Sequence, residues 1–492
     1  MPITRILLAA TALFGLLQSS LPAQASAALD PRRVEINEQM TTEMVAMARN
    51  AAAKKAFTLS REIANLVIAH YAPDNGAARK LIGQRKLRGE WQKNTRAVLR
   101  DDAVRPRQLS SLQGKWGQLK KRAGMLHRSL ALALVAEGAK NDQTHPELEL
   151  ALVFIPNDRA CHKALGHHGL DDFWGSAEDV TFAQRMRDIR QKASELAQVE
   201  HQATELPESE MPIELKRMGI PMYGAKSKRY TYWVSDSFES AANLTTWAER
   251  CHDFLAHLLG PKQELVRADS WRWHVVLRTV DERDTFLQKS PSTTGPFTYE
   301  QARLFAGIGF ALEGGGRASA TWHEQNLDSD HAVANTTKRH LLGERNEGLG
   351  EGFMHVTTWL LCGSTWTYFA DLPKTTTGGE NMSRDAKGWL ERLQQQIEDG
   401  EDQPLRIVPR ERIDNFRDKT RLKSWSFMFW LLASHPDKWF PLIDAMSVPD
   451  LSPEQVEQEF KKAFKMPIEA LEQQWRSWAR RGSELGKASG WS

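Results

Sequence analysis

The sequence predicts an α+β protein, in which an all-helical N-terminal region is followed by a small mixed sheet and a helical lobe. Three observations support this fold class. Residues 28–206 carry helical patterns, short turns and a repeated segment. Beyond residue 228, short aromatic and β-branched runs alternate with a longer amphipathic helix. The last third returns to helical periodicity, with a capping signal at Ser452.

The first 27 residues have the composition of a secretory signal peptide. Arg5 supplies a positive charge, residues 6–17 form an apolar segment, and Ala23-Gln-Ala25 or Ala25-Ser-Ala27 offers a cleavage site with small residues. The apolar segment is too short to span a bilayer well, and no later segment approaches the required length. We therefore expect an exported protein, periplasmic or extracellular, that is soluble after cleavage and has no stable membrane span.

Length, charge and cysteine content limit the remaining possibilities. With 492 residues the chain can form two or three domains with sizeable cores. A net charge of +3 and the absence of a dominant basic run argue against nucleic-acid binding. Cys161, Cys251 and Cys362 leave two alternatives open, which are a Cys251–Cys362 disulfide or three buried thiols.

An internal repeat lies in the first half of the chain. Residues 71–91 align without gaps on residues 154–174, and each copy starts with a turn that can cap a helix and ends on a Trp. The matches are Pro73/Pro156, Ala77/Ala160, Lys80/Lys163, Gly83/Gly166, Leu87/Leu170 and Trp91/Trp174. The pattern resembles tetratricopeptide-like segments of secreted bacterial proteins, although two copies are too few for a full solenoid. The prediction is a helical region at 28–206 with a packing or docking role.

The remaining elements follow in order from composition and periodicity. Residues 207–227, which begin with Pro207-Glu-Ser-Glu-Met-Pro212, are predicted to be a linker. Next come predicted strands at 230–234 and 273–277, helices at 239–259 and 282–286, and a hairpin pairing 308–312 with 318–322. In the last third, helices are predicted at 425–432, 438–446, 452–464 and 468–480, followed by a tail at 481–492.

Two consecutive segments carry the residues with recognisable chemistry. Val333-Ala-Asn-Thr-Thr-Lys-Arg-His-Leu-Leu342 is followed by Asn346-Glu-Gly-Leu-Gly-Glu351. Gluzincin peptidases place two His at i and i+4 on one helix, with a Glu beside the first as general base, and a further Glu ligand on a second helix. Over about residues 228–480 the chain resembles a gluzincin-like (peptidase MA-like) domain. The resemblance implies a small sheet lobe, a helical lobe and a site for zinc and peptide.

Most of the zinc chemistry of such a site is replaced in this chain. The working positions of the first helix are Asn335, Thr336 and Arg339. Asn is a poor zinc ligand, Thr cannot act as the base, and the permanent charge of Arg repels a metal ion. The resemblance implies that Glu347 faces the former metal position. We predict an ion pair between Glu347 and Arg339 there, because the planar guanidinium of arginine can donate two hydrogen bonds to one carboxylate.

Two other arrangements of the site stay open. In the first, His323-Glu324 begins the motif, and Glu347 follows His323 by 24 residues, but Leu327 then stands where the second ligand should be. In the second, a metal site is rebuilt from Glu347, Glu351 and His355 together with one of three other histidines, which are His340, His331 and His323.

The sequence thus predicts a catalytically degenerate metallopeptidase-like protein, or pseudopeptidase, with a binding or scaffold role in the cell envelope. The expected ligand is a peptide, a protein or cell-envelope material, and no cofactor is expected. An active zinc peptidase with substituted ligands is one alternative, and a purely structural envelope protein is another. An intact metal site would favour the enzyme. An open polar cleft would favour the binding protein, and a cleft filled by side chains would favour the structural protein.

Overall fold

A computed structural model describes residues 30–94, 101–260, 265, 273–289, 307–311, 317–322, 327–338, 340, 347–364, 386–411, 418–448, 450–482 and 486. The predicted signal peptide at 1–27 and most of the predicted tail lie outside these ranges. The predicted α+β class is confirmed. The chain divides into two compact units, residues 1–180 and residues 181–492. No helix within the described ranges has the length and apolar character needed to cross a membrane.

The first unit contains the same succession of elements twice. The first copy comprises α1 (Pro31–Ala53), α2 (Phe57–Leu66), a π-helical turn (Val67–Tyr71), α3 (Gly76–Leu81), β1 (Gln84–Leu87) and β2 (Glu90–Lys93). The second copy comprises α4 (Pro106–Ala136), α5 (Asn141–Phe154), α6 (Arg159–Ala164), β3 (His168–Leu170) and β4 (Phe173–Gly175). The prediction of an all-helical region at 28–206 is therefore wrong at three places. The segments that close on Trp91 and Trp174 are antiparallel hairpins, and residues 204–206 form a strand that pairs with residues 224–226.

The duplication extends beyond the repeat visible in the sequence. Lys55 and Gly138, which follow the first helix of each copy, both have positive φ (62° and 77°). Asn75 and Asp158 cap the short helices of the two copies through their side chains. The members of both pairs are 83 residues apart. The repeating unit is thus much longer than a tetratricopeptide repeat, which is a helix pair of about 34 residues.

The two copies pack against each other around an approximate twofold axis. Arg32, near the start of α1, contacts Glu137, just beyond the end of α4, with Nη1 2.7 Å from Oε1, so these two helices run antiparallel. The equivalent residues Tyr71 and Phe154 contact each other, with ring centroids 5.9 Å apart. A contact between equivalent residues is expected at a twofold axis, where the same surface patch meets its own copy.

A buried polar chain joins the two copies. The Tyr71 hydroxyl lies 3.0 Å from Nε2 of His127, and Nδ1 of His127 lies 2.7 Å from a carboxylate oxygen of Glu147. Arg33 pairs with the other oxygen of Glu147 at 2.9 Å. His127 and Glu147 are almost fully buried, and such groups are stable in a core only when they are hydrogen-bonded or paired. The surrounding core contains Met40, Met44, Ile63, Val67 and Trp116.

The second unit is built on a six-stranded mixed sheet with the order β5-β6-β7-β8-β10-β9. The strands are β5 (Thr204–Leu206), β6 (Tyr223–Lys226), β7 (Thr231–Val234), β8 (His274–Leu277), β9 (Gly307–Ala311) and β10 (Arg317–Trp322). The three central strands β7, β8 and β10 are parallel. The edge strands run antiparallel to their neighbours, β5 on β6 at one side and β9 on β10 at the other.

Every element predicted between residues 230 and 322 is present. Helix α9 (Phe238–Leu259) connects β7 to β8, helix α10 (Val280–Lys289) follows β8, and the predicted hairpin is formed by β9 and β10. Helix α9 begins with Ser237 as its N-cap and ends at Gly260, which has a φ of 71°. These start and stop residues explain why periodicity and capping located the helix within one residue of its observed start.

The linker predicted at residues 207–227 is wrong. This stretch contains helix α8 (Ile213–Met218) and all of strand β6, while β5 lies just before it. Met211, Leu215 and Met218 are buried in one hydrophobic cluster with Trp233 of the sheet. The polar run that starts at Pro207 resembles a linker in composition, but the apolar residues immediately after it bury against the sheet and keep the segment in the fold.

The helical lobe comprises α11 (Asp328–Thr337), α12 (Glu347–Cys362), α13 (Ala386–Glu398), α14 (Asp418–Ser434), α15 (Trp439–Ala445), α16 (Pro453–Phe464) and α17 (Ile468–Arg480). The capping box predicted at Ser452 and Gln455 is confirmed, with both reciprocal hydrogen bonds formed. Helix α14 is buried along nearly its whole length. Its Lys423 is fully buried and lies 3.1 Å from Asp402 and 2.6 Å from Glu472, so this cation is neutralised inside the lobe.

Candidate functional site

Helices α11 and α12 carry the residues that the sequence singled out. The start of α11 is tied to the end of strand β8, because the guanidinium of Arg278 donates two hydrogen bonds to Asp328, at 2.7 and 3.0 Å. Burial raises the pKa of Asp328, although the neighbouring Arg278 opposes that shift. A bidentate pair of this kind fixes orientation as well as distance. The first motif helix is therefore held in position by the parallel part of the sheet.

Gly348 of the second motif segment and Gly352, just beyond it, serve helix packing. A Cβ atom at Gly352 would lie 2.1 Å from Oγ of Ser424 and 2.4 Å from its carbonyl carbon. A Cβ atom at Gly348 would lie 1.8 Å from the carbonyl oxygen of Val408. The Ser424 hydroxyl donates to the carbonyl oxygen of Gly348 at 2.5 Å. Only residues without a side chain allow α12 to approach α14 and its neighbours this closely.

The two positions that the resemblance equates with a zinc ligand and a general base are buried. Asn335 and Thr336 are 4% and 1% exposed. The amide nitrogen of Asn335 donates to the carbonyl oxygen of His331 at 3.0 Å and lies at the same distance from Nε2 of that histidine. Asn335 and His331 therefore contact each other one turn apart on α11, as residues at i and i+4 of a helix do. Thr337, the next residue, shares a hydrogen bond of 2.8 Å with Thr357 of α12.

Glu351 is the buried anion between the motif helices. Its side chain is 1% exposed and lies 3.2 Å from Nζ of Lys338 and 3.3 Å from Nε2 of His355. Burial acts to raise the pKa of Glu351, but Lys338, His355 and the buried Arg421 of α14 outweigh it, so the pKa lies well below its ordinary value. A carboxylate with so low a pKa is a weak base near neutral pH. Burial lowers the pKa of His355, which keeps its imidazole neutral.

The remaining candidate ligands are engaged elsewhere or lie outside the described residues. His340 is 8% exposed, shares a hydrogen bond with the Tyr230 hydroxyl, and packs edge-on against His252 with ring centroids 5.2 Å apart. His323, Arg339 and the side chain of Glu347 lie outside the described residues, so the predicted Arg339–Glu347 ion pair stays a prediction. Within the ranges that are described, no three His, Cys, Asp or Glu side chains converge as metal ligands.

The three cysteines are free thiols. Cys161 and Cys251 are buried, Cys362 is partly buried, and none forms a disulfide. Of the two alternatives left open, the Cys251–Cys362 disulfide is therefore not formed. Sγ of Cys251 lies 3.5 Å from the carbonyl oxygen of Val333, which places this thiol in the contact between α9 and α11. Burial raises the pKa of both Cys251 and Cys362, so both are protonated and unreactive at neutral pH.

A cavity of about 570 Å³ lies at the β5 edge of the sheet, beside β5, β6 and the C-terminal half of α9. Its ionisable lining residues are His201, Glu210, Lys226, Lys228 and Glu249. None of the candidate residues on α11 and α12 lines this cavity. The sequence did not single it out, because its polar groups come from three separate segments of the chain.

One acidic residue organises the wall of this cavity. Glu249 is 1% exposed, accepts hydrogen bonds from the Ser227 hydroxyl at 2.8 Å and from the Arg229 amide at 2.7 Å, and forms an ion pair with the Arg229 guanidinium. A charged residue on the buried face of a predicted amphipathic helix was the one sequence signal for it. Since Arg229 neutralises Glu249, the remaining lining charges are the exposed Lys226, Lys228 and Glu210, which leave a net positive charge.

Comparison with known proteins identifies no relative. No family model matches the chain, and no curated protein or solved structure matches it. What the site can do therefore follows from its own geometry. The described part of the motif helices contains a charge-neutralised carboxylate and buried neutral side chains, while the open polar surface lies in the cavity at the sheet edge.

Proposed function

We propose that this chain is an exported, catalytically degenerate metallopeptidase-like protein that binds peptide or other cell-envelope material and does not cleave it. The observation that carries the proposal is the Lys338–Glu351 ion pair between α11 and α12. In a gluzincin, zinc supplies positive charge between the corresponding two helices, at the Glu that the resemblance equates with Glu347. Here a lysine and a buried arginine supply the positive charge, and Asn335 is engaged within its own helix.

The arrangement of elements supports the peptidase-like part of the proposal. The parallel strands β7, β8 and β10, the antiparallel edge strand β9 and the two following helices occur in the order that the resemblance implies. Three substitutions would then be enough to rebuild the zinc helix. We expect the variant Asn335→His, Thr336→Glu, Arg339→His to hold zinc, with Glu347 as its third protein ligand.

The metal test uses elemental analysis of the purified mature protein. We expect no stoichiometric zinc in the wild type, about one zinc per chain in the triple variant, and loss of that zinc when Glu347→Gln is added. Wild-type protein that holds one zinc, and loses it on Glu347→Ala, would establish the active-peptidase alternative. A triple variant that folds without binding zinc would show that the two helices do not have a gluzincin geometry.

The cavity beside β5 supports the binding part of the proposal over a purely structural role. Its exposed cations, Lys226 and Lys228, favour an anionic ligand. We expect an acidic peptide to bind the wild type in isothermal titration calorimetry, and Lys226→Glu with Lys228→Glu to abolish that binding. Lys461→Glu with Lys462→Glu, which changes the same charge on the exposed face of α16, is the matched control and should leave binding intact.

The outcomes separate the binding role from the structural one. Unchanged binding in the Lys226/Lys228 variant would place the ligand elsewhere on the protein. A wild type that binds no acidic peptide, together with no change in stability on adding one, would favour the structural envelope protein. Both results are independent of the zinc experiment, so the two halves of the proposal can fail separately.

A further inference from the structure

The two copies of the first unit use one position in chemically different ways. In the first copy this position is Arg79, which follows the capped turn. Its Nε donates to the carbonyl oxygen of Pro73 at 2.7 Å, and its Nη1 donates to Oε1 of Gln84 at 2.6 Å. The guanidinium also lies over the ring of Trp91, 5.7 Å from its centroid.

The equivalent residue of the second copy is His162. Its Nε2 lies 2.7 Å from the carbonyl oxygen of Pro156, and its Nδ1 lies 3.0 Å from Nδ1 of His167. Its ring stacks on Trp174 at 5.0 Å and an interplanar angle of 6°. All four residues are 83 positions beyond their counterparts in the first copy. The duplicated scaffold therefore holds an arginine and a glutamine in one copy and two histidines in the other.

The contact with Pro156 determines which nitrogen of His162 is available. A carbonyl oxygen only accepts hydrogen bonds, so Nε2 of His162 must carry the proton and donate it. Nδ1 then carries a lone pair, which accepts a hydrogen bond from Nδ1 of His167. An imidazole that donates one N–H to a backbone carbonyl while its other nitrogen points at a second ligand has the orientation found in metal-binding histidines.

We propose that His162 and His167 form a binding site for a tetragonal divalent transition-metal ion such as Cu²⁺ or Ni²⁺. With metal–nitrogen bonds of about 2.1 Å, a nitrogen–nitrogen distance of 3.0 Å corresponds to an angle of about 90° at the metal. That is the angle between neighbouring ligands in tetragonal coordination, which Cu²⁺ and Ni²⁺ prefer.

The surroundings of the pair fit a two-histidine site completed by water. His167 is partly exposed and is followed by the exposed His168, so solvent reaches the pair. Asp179 lies close enough to act on His167 electrostatically, and its negative charge favours a bound cation. In the described ranges no third His, Cys, Asp or Glu completes the coordination. On binding, His167 transfers its proton from Nδ1 to Nε2 through water, so no net proton is released.

The first copy supplies the matched variants for the test. Arginine is permanently protonated and glutamine has no basic nitrogen, so Arg79 and Gln84 cannot bind the metal. The double variant His162→Arg, His167→Gln places the first copy's residues in the second copy. Since the first copy folds with these residues beside the same carbonyl and the same Trp, this variant should fold, which circular dichroism can confirm.

The experiment adds Cu²⁺ alone to the mature full-length protein and uses equilibrium dialysis and electron paramagnetic resonance. We expect one tight site whose spectrum shows coupling to imidazole nitrogens. The double variant should bind at least about 10- to 100-fold more weakly, since loss of an outer-shell partner alone has an effect of that size. His257→Gln, which removes an exposed histidine of the second unit, should leave both readouts unchanged.

A gain-of-function variant tests the reverse exchange, in which the histidines of the second copy are placed in the first copy. Arg79→His with Gln84→His should install a second site in the first copy and raise the stoichiometry from one copper ion to two. Equal binding and identical spectra in the wild type and in the His162/His167 variant would overturn the proposal. A folded Arg79/Gln84 variant that still binds a single ion would likewise show that this geometry does not create a metal site.

Discussion

The carboxylate of Glu351 is almost fully buried on α12, and its two oxygens lie near Lys338 and His355. Arg421, itself buried, acts on it from α14. A buried charge without a partner is strongly destabilising, whereas a well-paired one is tolerated. At the scale of single residues, these three neighbours offset the negative charge that is buried between the two motif helices.

Removing the lysine partner should destabilise the protein without unfolding it. We expect Lys338→Met to lower the free energy of unfolding by about 1.5–3 kcal/mol, because Glu351 loses a charged partner but keeps Arg421. The double variant with Glu351→Gln should recover part of this loss in a urea-unfolding cycle. Lys462→Met, which breaks the exposed pair with Glu459, should cost at most about 1 kcal/mol. A coupling energy near zero would mean that Lys338 and Glu351 do not interact.

His355 should make the second unit sensitive to acid. Its pKa in the folded protein is lowered, chiefly by burial, and the facing cations Lys338 and Arg421 act in the same direction while Glu351 opposes them. The unfolded chain, with a His pKa of about 6.5, takes up this proton first. Stability from His355 is therefore present above about pH 6.5 and is lost as the pH falls through that value toward the folded pKa.

The check compares unfolding free energies at about pH 7.5 and about pH 5.5. The loss of stability on acidification should be smaller in His355→Gln than in the wild type. His257→Gln, at an exposed position, should show the same loss as the wild type. If His355→Gln and the wild type lose equal stability, the imidazole is not held neutral in the fold.

Residue spacing predicted contacts within a helix but not between helices. His331 with Asn335 and Glu351 with His355 are pairs at i and i+4, which any helix brings together. The pairing of Lys338 with Glu351 across α11 and α12 depends on how the helices cross, and no spacing in the sequence encodes that. Sequence reasoning therefore placed the charges on the correct helices and did not identify Lys338 as a partner.

At the scale of elements, the close approach of α12 and α14 depends on Gly352. We expect Gly352→Ala to destabilise the protein by at least about 2 kcal/mol, because the added Cβ meets the backbone of Ser424 and backbone cannot move aside easily. Gly114→Ala in α4 is the matched control, since a Cβ there has no neighbour within 4 Å. It should be neutral or stabilise by up to about 1 kcal/mol. Thermal unfolding followed by circular dichroism measures both, and equal effects would contradict the packing argument.

Elements with a local sequence signal, such as a capping box or helical periodicity, were predictable. Elements that depend on contacts between side chains distant in the sequence were not. Helix α17 begins and ends where the periodicity predicted, and α16 begins at its capping box. Strand β1 (Gln84–Leu87) has a single apolar residue and therefore no alternation to detect. Its hairpin is held by contacts made with Trp91, on whose ring Lys86 and Arg79 both lie.

At the scale of the whole molecule, the second unit should require the residues just before 207. Phe182 of α7 (Ala177–Leu196) packs on Phe429 and Trp478, and Arg185 donates to the carbonyl oxygen of Ala433 at 3.0 Å. We expect a fragment of residues 181–492 to unfold cooperatively in a thermal melt. A fragment of residues 207–492 should be less stable by at least about 3 kcal/mol, since it loses a buried aromatic residue as well as the edge strand β5.

A 207–492 fragment as stable as 181–492 would contradict this division and restore the predicted boundary. The boundary was misplaced because composition changes abruptly at Pro207, whereas α7 belongs to the second unit through contacts with residues more than 200 positions away. The polarity of a segment can be read from the sequence. The distant residues that the segment packs against are determined only when the chain folds.

The first unit is arranged in the way that two protomers of a homodimer are, with equivalent residues such as Tyr71 and Phe154 meeting at the axis. Covalent fusion of such a pair makes its association independent of protein concentration, because each half is always present beside the other. Fusion also removes the requirement that both halves be identical. One half can then carry a permanently charged side chain, Arg79, where the other carries an ionisable one, His162, so the two halves of the unit differ chemically at equivalent positions.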